Sequence, residues 1–338
     1  MPAVSLHPAE PGSLQGRRRL ILRCFLSPGD VVMLTAAVRD LHLTNPGMFL
    51  TDVRTTCPAL WENSPYVTPL REDDPGVEVV DCQYPLIHAS NDVPLHFIHG
   101  YRMHLERVLG VPIAPTKFGG DIHISRQEAA WMSQVEEQVG VGARFWLLVS
   151  GGKFDYTAKW WHPDRYQRVV DALRDEVRFV HIGAAEHYHP ELRGVLDLRG
   201  KTDLRQLVRL VYHADGVFCG VTLLMHLAAA IPSPPGRPRR RACVVIAGGR
   251  EPSHWEAYPH HQFLHSCGAL PCCENGGCWK SRVRPLGDGS RLDRPENLCV
   301  DVVSGFPRCM DLITAEEVVA KIRLYLHDSR RLSANASQ

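Results

Sequence analysis

The sequence predicts an α/β protein with two Rossmann-like domains that face one another across a cleft. Short apolar runs alternate with amphipathic helical segments along most of the 338 residues, which is typical of parallel sheets covered by helices on both faces. The alternation stops at the polar, helical segment 126–139 and then restarts, and the length also fits about two domains. We therefore predict a flexible tail at 1–17, a first domain at 18–140 and a second domain at 141–338.

Composition and charge limit the classes of function. Hydrophobic residues make up 44% and charged residues 22% of the chain, which fits a globular protein with sizeable cores. The net charge of +1 gives no bulk electrostatic reason to bind nucleic acid or an anionic membrane, and we interpret the basic run 237–241 as an exposed loop. No apolar stretch approaches the length that spans a bilayer, and no signal-peptide core is present. We expect a cytoplasmic protein with no nucleic-acid partner and no transmembrane segment.

The first half begins with a buried strand at 19–25, a tight turn and a helix at 31–41. In the turn, Gly29 lets the backbone bend sharply or approach a ligand. Asp30 lies at or near the start of the helix, where an N-cap is the simplest interpretation of an aspartate. Further strands are predicted at 48–53, 77–82 and 121–125, and an amphipathic helix at 98–109.

The second half is organised around the stretch 214–230, which reads ADGVFCGVTLLMHLAAA. It predicts a buried strand at 216–220, a polar hinge at Thr222 and a helix at 224–231. A helix that follows a strand directs its first free N–H groups beyond the strand end, where phosphate binds. An ordinary βα unit without a ligand remains the alternative. Other strands are predicted at 145–150, 177–183 and 242–247, and helices at 164–174, 203–212 and 314–327.

Three places in this half favour anion binding at the carboxyl ends of strands. A glycine pair and two lysines follow the first strand, a threonine and a histidine follow the central one, and a second glycine pair follows the last. The candidate donor-binding residues are Lys153, Lys159, Thr222, His226, Gly248 and Gly249. The chain contains neither a Walker loop nor a G-x-G-x-x-G fingerprint, so a P-loop kinase or an ordinary dehydrogenase is disfavoured.

Six of the eleven cysteines fall in the segment 267–309, which interrupts the alternation. In a reducing compartment such clustering favours a metal site over disulfides. Four thiolates close a tetrahedral site without an open position, so we predict one structural iron or zinc ion per chain. A group of reduced, buried cysteines is the alternative, and Cys272 competes with Cys273 as a ligand. The predicted ligands are Cys273, Cys278, Cys299 and Cys309.

Three motifs resemble glycosyltransferase family 9, which contains the ADP-heptose-dependent heptosyltransferases of lipopolysaccharide synthesis. They are L-R-x-x-x-x-x-G-D-V at 22–31, K-W-W-H-P at 159–163 and A-D-G-V-x-x-x-V-T-x-x-M-H-L-A-A-A at 214–230. The stretch G-A-L-P-C-C-E-N-G-G-C-W-K-S-R, at 268–282, is similar to a cysteine-bearing branch of that family. That branch includes the autotransporter heptosyltransferases, whose cysteine finger holds iron. The resemblance spans roughly 19–327.

The resemblance implies a GT-B fold and an inverting transfer of heptose, or a related sugar, from an ADP-sugar to an acceptor hydroxyl or amine. It implies no metal in the chemical step. By position in the motifs, Asp30 corresponds to the general base and Lys159 to the lysine that holds the donor phosphate, and Thr222 and His226 belong to the family's D-T-G-x-x-H motif. Val221 replaces the aspartate of that motif, which contacts the donor sugar, and Leu223 replaces its glycine. A valine accepts no hydrogen bond from a hydroxyl, so another group does so or the sugar is held differently.

Two other functions stay open. A sugar-nucleotide epimerase or hydrolase with similar domains needs an acid or base opposite the sugar, for which Glu186 and Glu251 are the candidates. A non-catalytic nucleotide- and metal-binding partner protein is consistent with the missing aspartate. The acceptor is equally open among a glycolipid such as the lipopolysaccharide core, a protein and a small molecule, and the acceptor-binding residues are unknown.

Overall fold

Two parallel β-sheets form the framework of the chain in the computed structural model, which describes residues 16–83, 86 and 89–335. The α/β class predicted from the sequence is confirmed. The predicted tail at 1–17 lies outside the described residues except for Gly16 and Arg17. Within the described ranges, every helix is too short or too polar to cross a membrane.

The first sheet has three strands in the order β2-β1-β3. They are β1 (Arg18–Cys24), β2 (Phe49–Thr55) and β3 (Val77–Asp81), followed along the chain by helix α2 (Ile98–Leu109). Helix α1 (Pro28–Thr44) connects β1 to β2, and all of its residues from 31 to 41 are buried. A helix that is buried on every side must be covered by other elements, and α1 packs against both α2 and helix α7 of the second half.

The second sheet has six parallel strands in the order β6-β5-β4-β7-β8-β9. The strands are β4 (Trp146–Leu148), β5 (Phe179–His181), β6 (Leu196–Asp197), β7 (Gly216–Gly220), β8 (Ala242–Gly248) and β9 (Gln262–His265). Within the described residues the two parallel sheets are therefore unequal, with three strands against six. The inner strands β4, β5 and β7 of the larger sheet are buried at every residue, as expected for parallel strands covered on both faces.

Helices cover this sheet on both faces. In chain order they are α5 (Pro163–Leu173), α6 (Leu204–His213), α7 (Leu223–Ala230), α8 (Ser253–Glu256), α9 (Arg308–Asp311) and α10 (Ala315–Asn335). The terminal helix α10 packs against α5 and β8, so the end of the chain lies on the second sheet. A short hairpin, β10 (Val302–Val303) and β11 (Phe306–Pro307), precedes α9.

One predicted strand of the first half is wrong. Residues 121–125 form no strand, because this extended segment is held by side chains of α1 instead of a neighbouring strand. The amide of Asp121 donates to Thr35 Oγ1 at 2.8 Å. The polar, helical segment predicted at 126–139 consists of two short helices, α3 (Arg126–Ala129) and α4 (Gln134–Val139), because each begins at its own Ser-x-x-Glu capping box.

Arg205, in the first turn of α6, ties the two halves together. Its Nε lies 2.5 Å from Glu128 Oε1, and its guanidinium also donates to the carbonyl oxygens of His123 and Ala59 at 2.8 and 3.2 Å. This side chain is only 12% exposed, so water competes weakly for these bonds. One cation of the second half therefore orders three separate segments of the first.

Three buried histidines predict that the fold is sensitive to acid. Burial lowers the pKa of His96, His181 and His226 to about 3, whereas a histidine in an unfolded chain titrates near 6.5. Below pH 6.5 the unfolded chain therefore binds protons that the folded chain does not. The free energy of unfolding should fall between pH 6.5 and 3, by at most about 1.4 kcal/mol per pH unit for each histidine.

Calorimetric melting from pH 7.5 to 4 measures this loss, and His181→Gln isolates one contribution to it. His181 Nε2 lies 2.7 Å from Ser150 Oγ, a contact that a glutamine amide can replace without titrating. We expect the variant to show a shallower fall of the melting temperature with acidity than the wild type. Parallel curves for the two proteins would show that His181 does not contribute.

Candidate active site

A cleft of about 890 Å³ opens where the carboxyl ends of the strands in both sheets meet. Its wall includes the turn 27–30 after β1, the glycines 151–152 after β4, residues 182–187 after β5, residues 220–224 after β7 and part of the segment 250–256 after β8. This is the place where open α/β sheets bind ligands. A second cavity, of about 400 Å³, lies near the amino ends of β4 and β8 and contains none of the predicted site residues.

Five predicted residues line the larger cleft: Asp30, Lys153, Lys159, Thr222 and His226. The two predicted glycines after β8 do not line it. A Cβ added to Gly248 would lie 2.5 Å from Met310 Sδ, and one added to Gly249 would lie 2.9 Å from Cys273 Sγ. These glycines therefore allow the loop after β8 to pack closely on the cysteine segment.

Asp30 lies in the first turn of α1, on the wall of the cleft. It is not the N-cap residue, because Ser27 occupies that position. The backbone N–H of Ser27 donates to Asp30 Oδ2 at 3.0 Å, as in a capping box. The Ser-Pro-Gly-Asp turn thus orients the carboxylate, and a negative charge in the first turn is also favourable for the helix dipole.

Two cations share one buried carboxylate on the opposite wall. Lys159 Nζ lies 2.8 Å from Glu251 Oε1, and the Arg250 guanidinium pairs with the same oxygen. Burial favours the neutral acid, but the charges of Lys159 and Arg250 outweigh it, so the pKa of Glu251 is below its usual range. The three side chains together carry a net charge of +1, which favours an anion in the cleft.

Arg250 is held by its neighbours. Its guanidinium lies over the rings of Tyr156 and Trp279, at 5.1 and 5.3 Å from their centroids, and its Nε donates to the carbonyl oxygen of Lys280 at 2.6 Å. This arginine directly follows the glycine pair 248–249, but its position in the sequence does not predict a role. The structure makes it part of the charged wall.

The start of α7 supplies the third feature of the site. Thr222 is the N-cap residue, and its hydroxyl is buried without a hydrogen-bond partner among the described residues. The free N–H groups of an N-terminus such as this one bind anions.

His226 is one turn further along α7. Its Nδ1 lies 3.0 Å from the hydroxyl of Tyr258, which itself donates to Met33 Sδ at 3.2 Å. With Nδ1 donating, Nε2 of this neutral histidine is an acceptor. A Cβ on Gly29 would lie 3.0 Å from His226 Cδ2, so this glycine lets α1 approach α7.

The cleft contains buried polar atoms that have no partner among the described residues. Such atoms are costly in a folded protein unless a ligand or water pairs with them. They are Trp160 Nε1, His189 Nε2, Thr222 Oγ1, Glu256 Oε2 and Trp279 Nε1. Only Thr222 was predicted from the sequence. The other four follow strand ends at irregular distances, and no spacing rule identifies them.

The cysteine segment lies directly behind the loop after β8. Cys273 and Cys309 are buried, and Cys278 and Cys299 are half-buried. Burial and the neighbouring thiols Cys278 and Cys299 raise the pKa of Cys309 to about 12, so the cysteines lie within electrostatic reach of one another. However, within residues 16–83, 86 and 89–335 no three His, Cys, Asp or Glu side chains are arranged as metal ligands. The donor set suits iron or zinc chemically, but its arrangement is not that of a ligand sphere.

Backbone hydrogen bonds connect this segment to the charged wall. The N–H of Cys278 donates to the carbonyl oxygen of Gly249 at 3.2 Å, and that of Trp279 donates to Arg250 at 2.9 Å. On the other side, Asn91 of the first half pairs with both backbone groups of Gly277, each at 3.0 Å. The cysteine segment therefore positions the loop that carries Arg250 and Glu251.

Comparison with protein families identifies one match. The profile of glycosyltransferase family 9 (heptosyltransferase) matches residues 86–235. This confirms the resemblance predicted from the sequence motifs, and with it the assignment of the chain to the glycosyltransferases. A comparison with curated proteins found no match.

Solved structures share the fold at low sequence identity. A family 9 glycosyl transferase from Veillonella parvula is 13% identical, with a TM-score of 0.61, over 92% of this chain and 98% of its own. The E. coli ADP-heptose lipopolysaccharide heptosyltransferase II is 15% identical, with a TM-score of 0.56, over 93% and 99%. TibC, a dodecameric iron-containing glycosyltransferase from enterotoxigenic E. coli, is 18% identical, with a TM-score of 0.62, over 94% and 77%. TibC has also been solved with ADP-D-β-D-heptose, and that structure has a TM-score of 0.59, at 15% identity over 94% and 77%.

The shared carboxylate predicts a stability cost for losing Glu251. Replacing Glu251 with Ala leaves two cations without their buried counter-charge, which should lower the free energy of unfolding by about 3 kcal/mol. Urea denaturation measures this change, with the exposed Glu316→Gln on α10 as a control that should unfold like the wild type. Sulfate should restore part of the loss, because an anion can take the place of the carboxylate. If Glu251→Ala unfolded like the wild type, the charge cluster would not stabilise the fold.

Proposed function

From the match of residues 86–235 to glycosyltransferase family 9, we propose that this protein transfers a heptose, or a closely related sugar, from an ADP-sugar to an acceptor with inversion at the anomeric carbon. The proposal assigns the donor to the segment 141–338 and the acceptor to the segment 18–140. ADP-D-β-D-heptose, the ligand solved with TibC, is the donor we consider first. The acceptor stays open among a glycolipid, a protein and a small molecule.

The main support for the proposal is that a carboxylate of the first half and cations of the second half line one cleft. Asp30 lines it from the first half, and Lys159 and Arg250 line it from the second. A nucleotide diphosphate supplies the negative charge that such a wall attracts, and a charge-assisted contact to phosphate contributes about 1.5–3 kcal/mol. Lys153 at the rim and the N-terminus of α7 add further positive potential for the same group.

The proposed reaction uses both walls. The Asp30 carboxylate takes the proton of the acceptor hydroxyl while that oxygen attacks the anomeric carbon of the donor. The bond from this carbon to the phosphate oxygen breaks, and ADP leaves with an additional negative charge. Lys159, Arg250 and the Thr222 end of α7 stabilise that charge as it develops. Attack and departure on opposite faces of the sugar give inversion.

The alternative chemistry of an epimerase or hydrolase has weaker support. Glu251 was one candidate base for it, but this carboxylate is engaged by Lys159 and Arg250. Glu186, the other candidate, has a side chain that is 74% exposed, and a solvated carboxylate is a weak base. Glu186 lines the cleft but is solvated, and Glu251 is held in ion pairs, so neither carboxylate combines burial with freedom to accept a proton.

We further propose that Cys273, Cys278, Cys299 and Cys309 bind one iron or zinc ion. When bound, the metal would cross-link the segment that holds Gly249 and Arg250 by backbone hydrogen bonds. Its role would be structural, because four thiolates leave no position for a substrate. The iron in TibC supports iron as the first candidate.

Replacing Asp30 with Asn tests the base. The amide oxygen can still accept the Ser27 N–H, so the variant should melt like the wild type and bind ADP normally. It lacks a proton acceptor, so the transfer rate should fall by about 10²–10⁴-fold. Product formation from ADP-heptose measures the rate. Asp164→Asn, in the first turn of α5, is a matched control that should transfer normally, and a wild-type rate in Asp30→Asn would remove Asp30 as the base.

Replacing Cys278 with Ser tests the metal. Elemental analysis should find about one iron or zinc per chain in the wild type and much less in the variant, together with a lower melting temperature, since metal binding at such a site is folding energy. Cys267→Ser, in the same segment but outside the predicted ligand set, should keep the metal. A metal-free wild type that is as stable as the reloaded protein would rule out the site.

A further inference from the structure

We infer that Glu256 hydrogen-bonds the hydroxyl groups of the sugar that is transferred, and so contributes to the choice of sugar. This inference rests on the proposed function, because it names the side chain that holds the sugar of the ADP-sugar donor. The sequence analysis assigned Glu256 no role.

The first observation is a buried carboxyl oxygen in the cleft wall. Glu256 is the last residue of α8 and lines the cleft with only 7% of its surface exposed. Its Oε2 is buried and has no hydrogen-bond partner among the described residues. A buried polar atom without a partner destabilises the fold, and a ligand hydroxyl can supply the missing hydrogen bond.

The second observation is that Glu256 lines the same cleft as the charged residues of both halves. Asp30 of the first half and Lys159 and Arg250 of the second half line it together with Glu256. In the proposed reaction, the sugar of a bound donor lies between its diphosphate and the base. A hydroxyl group of that sugar is therefore a suitable partner for Glu256.

The third observation concerns the protonation state. Burial, the nearby charge of Glu251 and that of Asp30 raise the pKa of Glu256 well above its usual range, and Lys159 and Arg250 offset this only in part. A neutral carboxyl group donates one hydrogen bond and accepts another, as a pair of sugar hydroxyls requires. It adds no negative charge beside the diphosphate. Both properties suit a sugar site and neither suits a phosphate site.

The residue before the N-cap of α7 offers no hydrogen bond of its own. Val221 lines the same cleft and is buried, and its side chain is apolar. The rings of Trp255 and Phe97, which are stacked at 5.3 Å, line the cleft as well. Small-molecule sites commonly combine apolar and aromatic side chains with a few polar groups that fix orientation.

Calorimetric titration with ADP and with ADP-heptose tests the inference on the full-length protein. In Glu256→Leu, the Kd of ADP should stay within about two-fold of the wild type. The Kd of ADP-heptose should rise by about ten-fold, the value of one lost hydrogen bond of about 1.4 kcal/mol. Glu256→Gln, which still donates and accepts, should keep most of the affinity for ADP-heptose. Glu316→Gln is the control and should bind both ligands normally.

Melting curves separate this role from a structural one. An apolar side chain removes the cost of the unpaired oxygen, so Glu256→Leu should melt at or above the wild-type temperature. A lower melting temperature together with weaker binding of both ligands would make Glu256 structural and overturn the inference. Unchanged binding of ADP-heptose by Glu256→Leu would also overturn it. If the wild type bound neither ADP nor ADP-heptose, the proposed function itself would be wrong.

Discussion

A carboxylate buried between two cations is stable only while all three charges are present, and Glu251 is held in this way between Lys159 and Arg250. Lys159 ends the segment after β4, whereas the other two follow β8, so the pair joins the ends of two strands. Arg282, which is fully buried, links the segment after β4 to the cysteine segment through Asp155, Asp288 and Asp293. The cationic wall of the cleft depends on this network.

The loop after β8 also carries the contacts that bring the first half to the cleft. The N–H of Phe97 donates to the carbonyl oxygen of Trp255 at 2.9 Å, and His254 Nε2 lies 2.8 Å from the carbonyl oxygen of Ser90. The cysteine segment supports the loop from behind through Cys278 and Trp279. A metal in that segment would thus act indirectly, by holding the loop that carries Arg250 and Glu251.

The sequence predicted the class of fold and much of the site, for identifiable reasons. Strand β7 was predicted to the residue, because its apolar run is bounded by Gly216 and Gly220 and is buried on both faces. Asp30, Lys159, Thr222 and His226 line one cleft because each follows the carboxyl end of a parallel strand, and those ends meet at one edge.

Other features could not be predicted. The strand expected at 121–125 does not form, because hydrogen bonds to side chains of α1 replace a strand ladder there. Glu256 was not predicted to belong to the site, because the short helix α8 brings it to the cleft and no regular spacing marks its position. Gly248 and Gly249 were predicted to bind the donor, but in the structure they pack closely against the cysteine segment.

Analysis of the products formed from ADP-heptose is the most direct test of the proposed sugar transfer. The purified protein is incubated with the donor, with and without candidate acceptors, and the sugar and nucleotide products are identified by mass spectrometry and phosphorus NMR. We predict release of ADP together with a new glycosidic bond of inverted configuration, only when an acceptor is present. Epimerised or hydrolysed donor, or tight binding of ADP-heptose with no turnover for any acceptor class, would contradict it.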